Sequence, residues 1–113
     1  MSFSAGTPPV SVGLPVFNGE RYLASALDSL LSQTFTDFEL IISDNGSHDA
    51  TEEICRAYAR RDERVFYHRC VDNRGAAWNF NRVFQLSRGR YFRWAAYDDL
   101  CAPTHLERLV EAL

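Results

Sequence analysis

The chain has 113 residues, of which 46% are hydrophobic and 13% aromatic, so it can form one compact domain rather than a disordered segment. Its 12 basic and 15 acidic residues give a formal net charge of −3, and no basic patch marks a nucleic-acid partner. No stretch approaches the roughly 20 apolar residues of a membrane-spanning helix. We therefore expect a cytoplasmic protein, with peripheral membrane association left open for the full-length chain.

The three cysteines, Cys55, Cys70 and Cys101, include no CxxC pair. Cys101 and His105 are four residues apart, but no second pair completes a zinc site. This odd number of unpaired cysteine positions is typical of a protein in a reducing compartment and argues against a disulfide framework. The first nine residues have neither the basic nor the apolar run of a targeting signal, and we expect residues 1–9 to form a disordered leader.

Apolar runs and helical periodicities alternate along the rest of the chain. The runs predict strands at residues 10–16, 38–42, 65–68 and 90–94. The periodic segments predict helices at residues 20–32, 49–60, 76–86 and from 103 onward. Asp49 and Glu52 resemble a capping box at the start of the second helix. Because the strands are almost continuously apolar, we predict an α/β fold, an open parallel sheet with helices on both faces.

Polar residues follow each predicted strand, at positions 15–18, 44–47, 72–75 and 98–99. In such sheets ligands bind beyond the carboxyl ends of the strands, so these four segments are expected at one rim. Asp98 and Asp99 are adjacent carboxylates that repel each other unless they share a cation, and Mg²⁺ commonly uses one or two carboxylates with water and phosphate. The alternative is an exposed loop in which Asp99 caps the helix that begins near Pro103.

In this order and spacing, the segments resemble the N-terminal, nucleotide-sugar-binding half of a family 2 glycosyltransferase with the GT-A fold. The resemblance covers essentially everything from Val10 onward and rests on residues 10–19, 30–35, 38–49, 73–75 and 97–99. It implies a Rossmann-like donor-binding half over residues 10–113. It also implies that the acceptor half, which normally carries the catalytic base, is absent from this chain, so no residue here is assigned as that base.

The resemblance places the nucleobase at the end of the first strand, where Pro15 and Phe17 would line its pocket. It also implies that Asp44 accepts a hydrogen bond from the imide N–H of uracil or thymine, because an ionised carboxylate is only an acceptor. The alternative role for Asp44 is to hold the turn that follows it, and the two roles can coexist. Arg74 would stack on the base or contact phosphate, although a solvated surface arginine fits the sequence equally well.

The resemblance also implies that the acidic pair, Asp98 and Asp99, lies where the diphosphate of the nucleotide binds. Asp98 would lie near the ribose or a metal-bound water, and Asp99 would bind the Mn²⁺ or Mg²⁺ that bridges the diphosphate. Two positions depart from the family pattern. Ala96 stands where an acidic residue is common, two positions before Asp98, and Asn45 is the second member of an Asp-Asp-Gly-Ser pattern. One metal contact is therefore expected to be missing or supplied by water.

These expectations describe the donor-binding half of an inverting glycosyltransferase. It would move a sugar from a nucleotide diphosphate, of the UDP or dTDP type, to a saccharide or other hydroxyl acceptor. A sugar nucleotidyltransferase is one alternative, although no early glycine-rich loop with basic residues would hold a nucleoside triphosphate. A non-catalytic regulatory module with Asp44 as phosphate acceptor is another, but Phe17 and Asn18 stand where it would need an acidic pair. Because strand 90–94 would lie at the edge of the sheet, we also expect self-association, most simply as a homodimer.

Overall fold

The computed structural model describes residues 7–100 and 102–112; residues 1–6 of the predicted leader and Cys101 lie outside the described residues. Within these ranges strands and helices alternate, as predicted. The elements are β1 (Val10–Val16), α1 (Leu23–Leu31), β2 (Phe38–Asp44), α2 (Thr51–Arg61), β3 (Val65–Arg69), α3 (Ala76–Leu86), β4 (Tyr91–Trp94) and α4 (His105–Glu111).

The strands form one parallel sheet in the order β3-β2-β1-β4. β1 and β2 lie in the middle of the sheet and are buried along their whole length, which is why their sequences are almost continuously apolar. β3 and β4 form the two edges, and both are partly exposed. The predicted fold class, an α/β fold with an open parallel sheet, is confirmed.

Helix α1 begins at Leu23 rather than at the predicted Glu20. The backbone N–H groups of Gly19 and Glu20 donate instead to side chains that follow β2, at distances of 2.9 and 3.2 Å. These contacts hold the stretch before α1 as a turn against the next loop. From Leu23 onward the predicted stripe faces the core, and its buried members are Leu23, Ala26, Leu27 and Leu30.

A buried carboxylate ties the amino end of the sheet together. Glu39 in β2 is 1% exposed and accepts hydrogen bonds from the hydroxyl of Ser11 at 2.6 Å and from the backbone N–H of Arg88 at 2.7 Å. The Nε of Arg88 lies 3.0 Å from the same carboxylate and balances its charge. The loop between α3 and β4 is therefore fixed to the two central strands.

At the same end, Asp62 and Arg64 join the start of β3 to the segment before β2. The guanidinium of Arg64 makes two hydrogen bonds to the carboxylate of Asp62, at 3.0 and 2.8 Å. It also donates to the carbonyl oxygens of Leu31 at 3.1 Å and Thr36 at 3.3 Å. The hydrogen bonds from Arg64 lower the pKa of Asp62 below its ordinary value of 3.8.

We expect the contribution of this ion pair to stability to disappear in acid. Because the pKa of Asp62 is lower in the folded chain than in the unfolded chain, the contribution is complete above the unfolded value and is lost as the pH falls through the folded one. Urea unfolding should therefore show Asp62→Asn to be less stable than the native chain at about pH 6 and much closer to it at about pH 2. An equal deficit at both pH values would contradict this expectation.

The outer edge of β4 has no partner strand within residues 7–100 and 102–112. A groove of about 480 Å³ runs beside it, between β4 and α4, and Val10, Phe92 and Leu109 contribute apolar surface to it. Self-association through this edge stays a prediction. Among the described residues, no helix is long and apolar enough to cross a membrane.

Candidate functional site

A cavity of about 260 Å³ lies beyond the carboxyl ends of β1 and β2, at the rim that the sequence predicted. Pro15 and Phe17 line it, as expected for residues at the end of the first strand. Four other wall residues belong to the motif segments, and three lie in α3; they are Val16, Asn45, Asn73 and Tyr97, and Ala76, Asn79 and Phe80. Flat apolar groups combined with amides suit a planar ligand that also carries hydrogen-bonding atoms.

Asp44 ends β2 and lies outside the wall of this cavity, with no part of the residue exposed. Its Oδ1 accepts hydrogen bonds from the backbone N–H of Ser47 at 3.0 Å and from the Ser47 hydroxyl at 2.6 Å. Its Oδ2 accepts a hydrogen bond from the hydroxyl of Tyr67 at 2.6 Å. The carboxylate therefore holds the turn over residues 45–47, which is the alternative role that turn preferences give it.

Asp44 lies beside two groups that stay neutral and one arginine. Burial, together with the hydrogen bond to Asp44, raises the pKa of Tyr67 far above its usual range, so its hydroxyl stays protonated and donates. Burial raises the pKa of the Cys55 thiol to about 12, with a further increase from the charge of Asp44. The Nε of Arg69 lies 4.0 Å from Oδ2 of Asp44 and supplies positive charge.

The turn after β1 is joined to the turn after β2. Asn18 adopts a left-handed conformation with φ of 51°. Its backbone N–H donates to the hydroxyl of Ser47 at 2.8 Å, and its side-chain Oδ1 accepts a hydrogen bond from the N–H of His48 at 2.9 Å. Because Ser47 also donates to Asp44, the ends of the two central strands form one hydrogen-bonded unit.

The predicted capping box at α2 is only half correct. Asp49 Oδ1 accepts a hydrogen bond from the N–H of Thr51, the first residue of the helix, at 2.9 Å, but the residue in the N-cap position is Ala50. Glu52, however, forms ion pairs with Arg56 at 2.9 Å and with Arg69 at 3.4 Å. The nearby arginines attract its carboxylate, a competition that the local sequence pattern does not show.

Gly46 allows the loop that follows β3 to approach the turn after β2. Its φ is +79°, and a Cβ at this position would lie 2.8 Å from the backbone carbonyl carbon of Asp72. Any other residue would be strained and would collide with backbone atoms. The glycine therefore lets the segment around residues 72–75 lie against the end of β2.

Asp98 and Asp99 are both exposed, at the rim beyond β4. Asp99 lines a second cavity of about 260 Å³, and Phe80 lines both this cavity and the first, so the two adjoin. The carboxylate of Asp99 accepts a hydrogen bond from the N–H of Leu100 at 2.9 Å and does not cap α4, which begins at His105. The alternative interpretation of Asp99 as a helix cap is therefore wrong.

A metal at this position would be held by few protein ligands. Within the described ranges, no cluster of three or more His, Cys, Asp or Glu side chains could hold a metal ion. Mg²⁺ commonly binds through one or two carboxylates and keeps its other positions for water and substrate phosphate. The exposed pair Asp98 and Asp99 fits that pattern, and the residue type at Ala96 supplies no third carboxylate.

Arg74 is exposed and lies in the loop that contains Asn73, a wall residue of the first cavity. Its guanidinium carbon is 5.2 Å from the centre of the Trp78 ring in α3. This cation–π contact holds a positive charge beside the cavity.

Two larger cavities lie away from these strand ends. One of about 640 Å³ is at the amino end of the sheet, around Arg60, Asp62 and Arg64, and the other is the groove beside β4. By volume alone, these two cavities would be the first candidates for a ligand site. We assign the ligand site to the two smaller cavities instead, because open parallel sheets bind ligands at the carboxyl ends of their strands.

Comparison with known proteins adds a finding independent of this geometry. Residues 11–113 match the family described as Glycosyl transferase family 2. The chain belongs to this family. The resemblance found in the sequence motifs is thereby confirmed.

Relatives of this family 2 chain are longer. An uncharacterized glycosyltransferase of Rickettsia typhi is 35% identical over 107 residues, which are 95% of this chain and 32% of the relative. TarS residues 1–349 of S. aureus, solved in complex with UDP-GlcNAc, are 25% identical with a TM-score of 0.84, over 90% of this chain and 30% of that fragment. A mannosyltransferase from Pyrobaculum calidifontis, solved with GDP-Man and Mn²⁺, is 22% identical with a TM-score of 0.77, over 86% of this chain and 30% of its own. This chain thus spans about a third of the length of the Rickettsia relative and of each of the two solved chains, and 19% of the longer solved chain of TarS.

Proposed function

We propose that residues 10–113 form the donor-binding half of a glycosyltransferase domain and bind a nucleotide diphosphate sugar of the UDP or dTDP type. The observation that carries this proposal is the pair of adjoining cavities at the carboxyl ends of the strands. One has apolar and amide walls, and the other contains Asp99. The complex of TarS with UDP-GlcNAc supports the choice of ligand class, because TarS shares this fold.

In this proposal the nucleobase occupies the cavity lined by Pro15 and Phe17, and Arg74 contacts the base or a phosphate. A hydrogen bond from the base to Asp44 stays part of the proposal. Because the carboxylate of Asp44 is buried and Tyr67 already donates to Oδ2, this contact requires a shift of neighbouring side chains. The proposed contact of Asp44 with the base and its role in holding the turn can therefore be separated by experiment.

At the diphosphate end, we propose that Asp99 binds Mn²⁺ or Mg²⁺ and that Asp98 lies near the ribose or a metal-bound water. When bound, such a metal neutralises negative charge on the departing nucleotide diphosphate. The mannosyltransferase complex with GDP-Man and Mn²⁺ shows such a pairing of nucleotide sugar and metal in a protein of this fold. Two exposed carboxylates next to a cavity are suited to the same pairing here.

The proposed reaction is a single in-line displacement that inverts the anomeric centre. A hydroxyl oxygen of a saccharide or other acceptor bonds to the anomeric carbon, and the bond between that carbon and the diphosphate oxygen breaks. The acceptor proton passes to a carboxylate base that we place outside residues 10–113. The described residues hold and orient the donor, and the nucleotide diphosphate leaves with the bonding electron pair.

The regulatory alternative is disfavoured by the burial of its phosphate acceptor. Asp44 has no exposed surface and already accepts three hydrogen bonds. A phosphoryl donor could not approach its oxygens in this arrangement. Membership of family 2 also favours transfer of a sugar over the sugar nucleotidyltransferase alternative.

A thermal-shift panel tests the proposed ligand class. The ligands are UDP, dTDP, GDP, CTP and acetyl phosphate, each with Mn²⁺. A ligand at about 100 times its Kd stabilises a protein by about 2.7 kcal/mol, which shifts the melting temperature of a domain this size by several degrees. We expect the largest shift with UDP or dTDP. A shift with CTP alone would favour the nucleotidyltransferase, a shift with acetyl phosphate alone would favour the regulatory module, and either would overturn the proposal.

A further inference from the structure

The side chain of Asn45 joins the turn after β2 to the exposed loop over residues 73–75. Its Nδ2 donates hydrogen bonds to the side-chain Oδ1 of Asn73 at 2.8 Å and to the carbonyl oxygen of Gly75 at 3.2 Å. Its Oδ1 accepts a hydrogen bond from the backbone N–H of Arg74 at 2.9 Å. Asn45 thus contacts all three residues of the loop, and it is itself only 2% exposed.

These partners require an amide at position 45. The backbone N–H of Arg74 can only donate and the carbonyl of Gly75 can only accept, so the orientation of the Asn45 amide is fixed. Both Nδ2 hydrogens are used. An aspartate at this position would keep the bond from Arg74 but would place an oxygen 2.8 Å from Oδ1 of Asn73. The departure from the Asp-Asp-Gly-Ser pattern noted in the sequence therefore has a structural reason in this chain.

Other contacts of the loop are to α3, where the carbonyl of Gly75 also accepts a hydrogen bond from the N–H of Asn79 at 3.2 Å. Asn73, Arg74 and Gly75 are exposed, and Gly75 has a φ of +94° with no atom within 4 Å of the place that a Cβ would occupy. Asn73 Oδ1 also accepts a hydrogen bond from the N–H of Gly75 at 2.8 Å, so Asn45 and Gly75 share one acceptor. Both Asn45 and Asn73 line the first cavity, which means that this hydrogen-bonded unit forms part of its wall.

We infer that Asn45 is a positioning residue for the nucleotide. It holds loop 73–75 against the end of β2, and so fixes one wall of the cavity and the place of Arg74 beside it. The inference rests on the proposed nucleotide-binding function. The anchor of Asn45 is firm, because its own backbone N–H donates to the carbonyl of Val16 in β1 at 2.9 Å.

A charge-matched pair of variants tests this role. Asn45→Asp and Asn73→Asp each add one negative charge, at positions whose side chains are in contact. Asn45→Asp removes both donors to the loop, whereas Asn73→Asp keeps an acceptor for Asn45 and for the N–H of Gly75. The difference between the variants therefore measures the loop contacts, and the effect common to both measures the added charge.

The readouts are calorimetry with UDP and Mn²⁺, and hydrogen exchange at the amide of Gly75. We expect Asn45→Asp, which loses both donors to the loop, to weaken UDP binding at least about fivefold more than Asn73→Asp does, because about fivefold corresponds to one lost hydrogen bond. We also expect faster exchange at Gly75 in Asn45→Asp but not in Asn73→Asp. Asn73→Ala, at an exposed position, removes the acceptor that Asn45 uses and should weaken UDP binding even if Asn45→Asp fails to fold.

Equal loss of affinity in the two aspartate variants would show that only charge matters and would overturn the inference. So would unchanged exchange at Gly75 in a folded Asn45→Asp, or unchanged UDP binding in Asn73→Ala. If the native chain binds none of the nucleotide diphosphates, the proposed function fails. Exchange at Gly75 then still reports whether Asn45 holds the loop, so the two failures are distinguishable.

Discussion

Replacement of Asp44 by alanine is expected to lower the free energy of unfolding by about 3 kcal/mol, because the variant leaves two buried donors and one half-buried donor without an acceptor. These donors are the backbone N–H and hydroxyl of Ser47 and the hydroxyl of Tyr67. Urea unfolding measures the change. Tyr67→Phe is the matched control, since it removes one of these hydrogen bonds and keeps the carboxylate, and it should cost about 1 kcal/mol.

The more conservative Asp44→Asn separates the structural role from the proposed contact with the base. It keeps an acceptor for Ser47 while replacing the second oxygen by a donor, so it should unfold more easily than the native chain but less easily than Asp44→Ala. If Asp44→Asn kept full stability and lost the preference for uridine over cytidine nucleotides, the base contact would be the main role of this carboxylate. If Asp44→Asn lost stability and kept the preference for uridine nucleotides, holding the turn would be the main role of this carboxylate.

The architecture was predictable because β1 and β2 are buried on both faces. Their nearly continuous apolar runs are typical of central parallel strands, and the stripe of α1 repeats at helical spacing. The start of α1 was not predictable from that stripe. Its first turn is displaced by hydrogen bonds from Gly19 and Glu20 to a loop that is distant in sequence.

The site was predictable in its location and less so in its members. Pro15 and Phe17 line the cavity because they end a central strand, which the motif indicated. Asn45 and Asn73 look like ordinary turn formers in the sequence, and only the approach of two loops shows that they bond to each other. The buried Glu39 was missed for a similar reason, since its partners Ser11 and Arg88 are 28 and 49 residues away.

Asp99→Asn is expected to weaken binding of UDP at least about tenfold in the presence of Mn²⁺, because the variant removes the carboxylate that we propose to hold the metal, and the metal is what neutralises the diphosphate. The side chain of Asp99 is exposed and accepts a hydrogen bond from the adjacent N–H of Leu100, so the variant should keep the melting temperature of the native chain. Asp37→Asn is the matched control. It removes the same charge at the amino end of β2, away from the site, and should bind UDP as the native chain does.

Calorimetry of UDP binding to the native chain, with Mn²⁺ and with EDTA in its place, is the most direct test of the proposed metal-assisted nucleotide site. We expect binding in Mn²⁺ that weakens at least about tenfold in EDTA, and a comparably weak affinity for Asp99→Asn in either condition. Equal affinities of the native chain and Asp99→Asn, with and without the metal, would contradict the assignment of Asp99 and of this rim as the diphosphate site.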